Sequence, residues 1–181
     1  MNIDAGMITL REEVRPGDVA AVRALVAATG FFAEAEVAVA AELVQERLDK
    51  GPASGYEFVL AERGGGLAGY SCYGPIPCST VSWDLYWIAV ASGAQGGGLG
   101  RRILALTERR IREAGGLACY AETSGRALYA PTRAFYARTG YAAGAVLPDF
   151  YGPGDAKFIY VKRLSAVDAD PAGEPAGKRS P

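Results

Sequence analysis

Residues 90–104 read "VASGAQGGGLGRRIL": five glycines fall between positions 93 and 100, and the chain then turns into an arginine-bearing apolar helix. Several glycine-loop chemistries compete for such a stretch. The P-loop pattern G-x-x-x-x-G-K-[ST] is absent, because the Gly177-Lys178 pair is followed by arginine. The dinucleotide pattern G-x-G-x-x-G fails too: counted from Gly96, its third glycine falls on Arg101, with no acid suitably placed downstream. A flexible loop with a packing glycine at Gly100 remains, and so does an anion cradle. Amide groups at a helix start are unsatisfied, and the helix dipole favours an anion there by about 0.3–1 kcal/mol per charge. Glycines let a phosphate approach the backbone with no Cβ in the way. Arg101 and Arg102 occupy the first turn, where acids are usual, and an anionic ligand beside them would explain the exchange.

The rest of the composition narrows the field. The chain has 181 residues, half of them hydrophobic, enough for one domain with a proper core. Its net charge of −1 argues against a nucleic-acid partner held by bulk electrostatics. No apolar run approaches the roughly 18 residues of a membrane span, and "MNIDAGMITLREE" lacks the apolar segment of a signal peptide. Cys72, Cys78 and Cys119 form no C-x-x-C pair, so neither a disulfide framework nor a zinc site is expected, and the chain reads as cytoplasmic. Histidine is absent altogether. That excludes Ser-His-Asp and Cys-His catalysis and His-based metal sites, leaving acid–base work to carboxylates, tyrosines, a lysine or a thiol.

Outward from the glycines, the pattern alternates strands and helices. "MITLREEV" (7–14) reads as a strand, and Asp18 as the N-cap of a helix stopped by Gly30. A second helix is predicted over 34–49, with Val37, Ala40, Val44 and Leu48 as its apolar stripe. "GYEFVLAER" and "GLAGYSCYG" form a hairpin around "GGG", followed by the strand "VSWDLYWIAV". The helix over 98–115 presents Gly100, Ile103, Leu104, Thr107, Ile111 and Ala114 on one face, with Arg101, Arg102, Glu108 and Arg109 turned outward. A short buried strand "LACYAE", a helix through "PTRAFYART" ending at Gly140, and the strands "YAAGAVL" and "KFIYVKRL" around the turn-rich "PDFYGPGD" complete the domain. This is a mixed α/β (α+β) domain over residues 1–164. The Pro/Gly/Ala-rich stretch 165–181 is expected to be a disordered tail.

Gln95-Gly96-Gly97-Gly98-Leu99-Gly100 resembles the Q/R-x-x-G-x-G/A signature of the GNAT acetyltransferase superfamily. "DLYWIAV" before it resembles that family's fourth strand, and "FYARTGY" its final F-Y-x-x-x-G-F/Y element, in the expected order and spacing. The resemblance spans about Met7 to Leu164. It implies a GNAT-like fold: a mostly antiparallel, splayed sheet of about seven strands flanked by about four helices. It further implies acetyl-CoA as acetyl donor, no metal, and a cofactor site made of Ile88, Ala89, Val90, Gln95, Gly96, Gly97, Gly98, Leu99, Gly100, Arg101, Arg102, Tyr129 and Tyr136. One position departs from the pattern: Tyr129 stands where many members carry asparagine, seven residues before Tyr136.

The implied reaction is direct transfer of acetyl from the thioester to a primary amine of a small molecule or peptide. A lysine-like amine has a pKa of about 10.4, so holding it neutral at pH 7 costs about 4.6 kcal/mol, and a base or a water chain is worth having. The family places a carboxylate six residues before the valine of the fourth strand, which lands on Asp84, set among Trp83, Leu85, Tyr86 and Trp87. Glu122 is the second candidate base, and water alone the third. Tyr136 matches the general acid that protonates the leaving thiolate. A backbone amide near Val90 is expected to hold the oxyanion. Cys119 reads as a buried apolar residue rather than an acyl acceptor, since no histidine activates it. The acceptor region implied by the family holds Phe31, Phe32, Glu34 and Glu36, then Asp149, Phe150, Tyr151 and Asp155, a set of acids among aromatics suited to a cationic amine. Family members often pair, so a homodimer is compatible with the resemblance. A non-catalytic CoA-binding regulatory domain is the alternative at this level.

Overall fold

The computed structural model describes residues 6–164. Its elements run β1 (Ile8–Arg11), α1 (Asp18–Ala28), α2 (Glu34–Lys50), β2 (Glu57–Arg63), β3 (Gly66–Pro75), β4 (Ser82–Val90), α3 (Leu99–Glu113), β5 (Ala118–Ser124), α4 (Ala130–Arg138), β6 (Ala142–Gly152) and β7 (Asp155–Arg163). The seven strands form one sheet in the order β1-β2-β3-β4-β5-β7-β6, and β4–β5 is its single parallel pair. The mixed architecture expected from the sequence is thus present, the stretch from Ser165 onward lying outside the described residues.

Helices cover both faces of the sheet because the central strands are apolar on both sides. Along β2, Phe58 and Leu60 point to one face and Val59 and Ala61 to the other, as a period of two requires. The first pair packs with Val22, Val26, Val37 and Val44 of α1 and α2; the second packs with Ile103, Leu104 and Ile111 of α3. Each such side chain fully removed from water contributes about 1.5–3 kcal/mol. The buried Ser71 and Thr107 hydroxyls share a hydrogen bond of 2.7 Å, which pins α3 to β3. No helix among the described residues is long and apolar enough to cross a membrane.

Three local expectations are corrected. Asp18 does not cap α1: Gly17 holds the cap position, and Asp18 is a buried first-turn residue. It accepts from the Arg15 amide at 2.6 Å and is ion-paired with Arg11 at 2.5 Å, an attachment of β1 to α1 that no local pattern reveals. Glu108 does not face water. It lies 4 residues from Leu104 and 3 from Ile111, on their flank of α3, and is only 5% exposed, ion-paired with Lys162 of β7 at 2.7 Å. Most of "PDFYGPGD" is strand rather than loop, because β6 continues to Gly152 by pairing with β7. An irregularity between Leu147 and Gly152 absorbs the turn formers, with Asp149 at φ +53° and its Oδ1 accepting from the Gly154 amide at 2.7 Å. Pro148 is tolerated because β6 is an edge strand.

Candidate active site

The site originates in a failure of strand pairing. β4 and β5 are registered from Ser82↔Ala118 only as far as Leu85↔Ala121. Beyond that point β4 stays with β3 and β5 stays with β7, and the two strands part. Opposite the divergence, Tyr86 is an extra residue on β4, since Cys72 pairs with Trp87 and Tyr73 with Leu85. Such a bulge bends the strand and raises its twist. The resulting wedge is a cavity of about 1120 Å³.

One end of the cavity is the start of α3. Gly98 is the N-cap in left-handed backbone (φ +78°), no side chain caps the helix, and its first turn holds no acid. Gly96 is also left-handed (φ +79°), and a Cβ on either residue would meet no protein atom within 4 Å. The amides of the first turn therefore stay available, facing space that the protein leaves open. Gln95 anchors the loop, its Nε2 donating to the Val90 carbonyl at 3.1 Å.

Of the residues expected at the site, Ile88, Ala89, Val90, Gln95, Gly96, Gly98, Gly100, Arg101, Tyr129, Tyr136 and Glu122 line this cavity together. Gly97, Leu99, Arg102 and Asp84 do not line it. Leu99 turns inward and is 2% exposed, because the same helix start must also bury its apolar face. Phe31, Phe32, Glu36, Tyr151 and Asp155 also line the cavity, whereas Glu34, Asp149 and Phe150 lie off the wall. Thr29, Trp87, Thr123, Ser124, Arg126, Phe135, Arg138 and Thr139 also line it; Trp87, Phe135, Arg138 and Thr139 lie within the "DLYWIAV" and "FYARTGY" segments but are not singled out by them as site residues. Their signal was indirect: most neighbour the recognisable segments around Glu122 and Tyr136.

The titratable groups differ in their surroundings. Tyr136 is buried against Tyr141 and Tyr160, with ring centroids at 5.5 and 5.3 Å. Burial raises its pKa well above the usual phenol value, so it stays protonated and able to donate. Asp84 sits at the last paired stretch, opposite Tyr120. Burial first, and then the negative charge of Glu122, push its carboxyl up, while Lys157 partly offsets them. Glu122 is ion-paired with Lys157 at 2.5 Å, and that ammonium lies 3.8 Å from the centroid of the Phe150 ring. Cys119 is buried and its thiol is raised to about 12, so it is no nucleophile at neutral pH.

Tyr129, the departure from the family pattern, has a visible role. Its hydroxyl donates to the Phe31 carbonyl at 2.8 Å and its ring meets that of Phe31 edge-on at 5.6 Å. It therefore ties the start of α4 to the loop between α1 and α2, at the wall of the cavity. Nearby, Asp155 accepts from Ser124 Oγ at 2.5 Å and pairs with Arg126 at 3.2 Å.

The residues at the glycine-lined start of α3 and along the parted edges of β4 and β5 are those that could hold a long ligand with a phosphate-bearing head, such as acetyl-CoA. The glycine-lined helix start offers donors to the head. The Thr123 hydroxyl, on β5 beyond its last pairing with β4, is buried without a hydrogen-bond partner among the described residues.

Comparison with known proteins points the same way. An "Acetyltransferase (GNAT) domain" model matches residues 54–143. The blasticidin-S acetyltransferase of Streptomyces morookaense is 38% identical over 111 residues, which are 59% of this chain and 73% of that protein. A crystal structure from Desulfovibrio desulfuricans, described as a GNAT-family acetyltransferase, is 48% identical with a TM-score of 0.84, covering 88% of this chain and 100% of that one. An aminoglycoside 6′-N-acetyltransferase crystallised with coenzyme A shares the fold at 20% identity and a TM-score of 0.69, over 88% of this chain and 98% of its own.

Proposed function

The chain belongs to the GNAT acetyltransferase family and uses acetyl-CoA, and from that premise we propose that it acetylates a primary amine on a small cationic molecule. Bound acetyl-CoA supplies an activated acetyl group as its thioester. The backbone amides at the start of α3 bind the pyrophosphate, and the parted edges of β4 and β5 guide the arm toward the acceptor end. Glu122 accepts the amine proton, directly or through one water, as the new C–N bond forms and the C–S bond breaks. Tyr136 gives its hydroxyl proton to the departing sulfur. The proton on Glu122 then returns to the phenolate through solvent. Asp84 lies off the cavity wall, and its own carboxyl is pushed up by burial and then by the negative charge of Glu122.

The observation that carries this reading is the convergence of three elements on one cavity: the uncapped start of α3, Tyr136 of α4 and Glu122 of β5. A cationic acceptor is favoured by Glu36, which pairs with no cation among the described residues, and by the aromatic wall of Phe31, Phe32, Trp87 and Tyr151, while Glu122 and Asp155 are already engaged by Lys157 and Arg126. Blasticidin S, on which the Streptomyces morookaense relative acts, and aminoglycosides are the first acceptors to screen, with thiol release as the signal. Tyr136→Phe is expected to lower kcat at least about a hundredfold, the usual scale of a lost general acid, with the acetyl-CoA Kd unchanged. Full turnover in that variant, or a screen won by neutral or anionic acceptors, would overturn the assignment.

A further inference from the structure

Glu122, the base in the proposed reaction, already holds a primary amine, the chain's own. The Lys157 ammonium of β7 lies 2.5 Å from Glu122 Oε2 and 3.8 Å from the centroid of the Phe150 ring, with the Tyr151 ring 5.9 Å away. A carboxylate on one side and aromatic rings on the other are what an ammonium needs when it leaves water, and the Lys157 side chain is only 13% exposed. Register explains the meeting. Lys157 is opposite Ser124 and Ile159 is opposite Glu122, so Lys157 and Glu122 are diagonal neighbours on one face of β5 and β7. Glu122 and Tyr151 both line the main cavity, so the Lys157 nitrogen sits directly behind its wall.

No other lysine is placed in this way among the described residues. The sequence holds four lysines, Lys50, Lys157, Lys162 and Lys178, and the last lies outside the described residues. Lys50 pairs with Glu46 and Lys162 with Glu108, neither of which lines the main cavity. Lys157 alone of the three is ion-paired with a residue of the cavity wall. A thioester reacting from free solution would favour Lys50 instead, whose side chain is 59% exposed. Exposure and position therefore single out different lysines, and the pattern of acetylation tells the two routes apart.

We propose that Lys157 is a self-acetylation site, to which the chain transfers the acetyl group of bound acetyl-CoA when no acceptor is present. Lys157 does not itself line the cavity, so its ammonium moves around the Glu122 carboxylate to the side that faces the donor, a swing that its four-carbon stem permits. There it gives one proton to Glu122, which passes it to solvent. The freed lone pair attacks the thioester carbonyl carbon. The C–N bond forms, the C–S bond breaks, and Glu122 takes the second nitrogen proton. Tyr136 protonates the departing sulfur and is reprotonated from Glu122 through solvent. The products are a neutral amide on Lys157, the CoA thiol and one proton. An acetylated Lys157 no longer pairs with Glu122, so the modification frees that carboxylate for the ammonium of an acceptor. The inference rests on the acetyl-transfer reading of the same cavity.

Peptide mass mapping of the full chain, incubated with acetyl-CoA and no acceptor, tests this. Lys157 is expected to gain its acetyl group at least about tenfold faster than Lys50, because its amine is held beside the donor. The rate per chain should not depend on protein concentration. Lys157→Arg keeps a cation on Glu122 without the amine, and the intact protein should then gain less than about a tenth of the wild-type acetyl. Glu122→Gln and Tyr136→Phe, each with a cooperative melting curve, should slow acetylation of Lys157 about a hundredfold and leave that of Lys50 unchanged. Lys50 modified as fast as Lys157, or a Lys157 rate unaltered in both variants, would overturn the inference. A rate that rises with protein concentration would overturn transfer within one chain. An unmodified Lys157 in a protein that releases thiol with an acceptor amine would overturn it too, and leave the transferase reading intact. Absence of transfer to any amine would overturn both.

Discussion

Gly98 offers a test in which the sign of the effect decides. It caps α3 at φ +78° and ψ 4°, and a Cβ added there would meet no protein atom within 4 Å. The cost of Gly98→Ala is therefore backbone strain alone, about 1–2 kcal/mol for an L-residue in left-handed conformation. Alanine also loses less entropy on folding, which offsets about 0.4–1 kcal/mol. The net destabilisation is about 0–1.6 kcal/mol, or a fall in Tm of up to roughly 6 °C for a domain of this size. Gly97→Ala is the control. That residue is not in the left-handed region and its Cβ is equally unobstructed, so it should leave Tm unchanged or slightly raised. Scanning calorimetry of both variants, alone and with saturating acetyl-CoA, checks the strain and the cradle at once. Gly98→Ala should lose stabilisation by acetyl-CoA beyond its own drop in Tm, because its Cβ occupies the space left for the phosphate. A Gly98→Ala protein that melts higher than wild type would refute the left-handed cap, and undiminished stabilisation by acetyl-CoA would refute the cradle.

Tyr129→Phe removes the donor to the Phe31 carbonyl. It should cost about 0.5–1.5 kcal/mol in urea unfolding and raise the acceptor KM, since the tie holds the loop that carries Phe31 and Phe32. Asp84→Asn probes the raised carboxyl. Because the folded chain holds that proton more tightly than the unfolded chain, wild-type stability should fall as pH rises from the ordinary aspartate value of about 3.9 through the raised folded one. Asp84→Asn should flatten that segment of the Tm–pH curve and melt higher than wild type at pH 7, with no advantage below about pH 3.5. An unchanged curve would show that Asp84 titrates as it does in the unfolded chain.

What was legible in the residue order was local, or had a fixed period. The start of α3 could be read because glycines tolerate left-handed backbone and a helix N-terminus needs no distant partner to present its amides. The central strands could be read because Phe58, Val59, Leu60 and Ala61 are apolar on both faces, and α2 because Val37, Ala40 and Val44 recur at helical spacing. Tyr136 and Glu122, to which the proposed chemistry is assigned, could be singled out from their setting in recognisable segments.

Everything that depends on what lies across from a residue had to wait for the tertiary structure. Glu108 sits on the flank of α3 where a solvated acid was expected, and only Lys162, 54 residues away, makes its burial tolerable. The tie from Tyr129 to Phe31 spans 98 residues, and the second half of β6 is a strand because β7 pairs with it despite its turn-forming sequence. The meeting of Arg101 with Arg138 on the cavity wall follows from how α3 and α4 flank the parted strands. The residues by themselves determined a glycine-rich helix start, a mixed domain of strands and helices, and a tyrosine set in a recognisable segment. The folded chain decided which acids face the cavity, because burial and pairing are properties of neighbours in space, and hydrophobic period and glycine spacing record only neighbours along the chain.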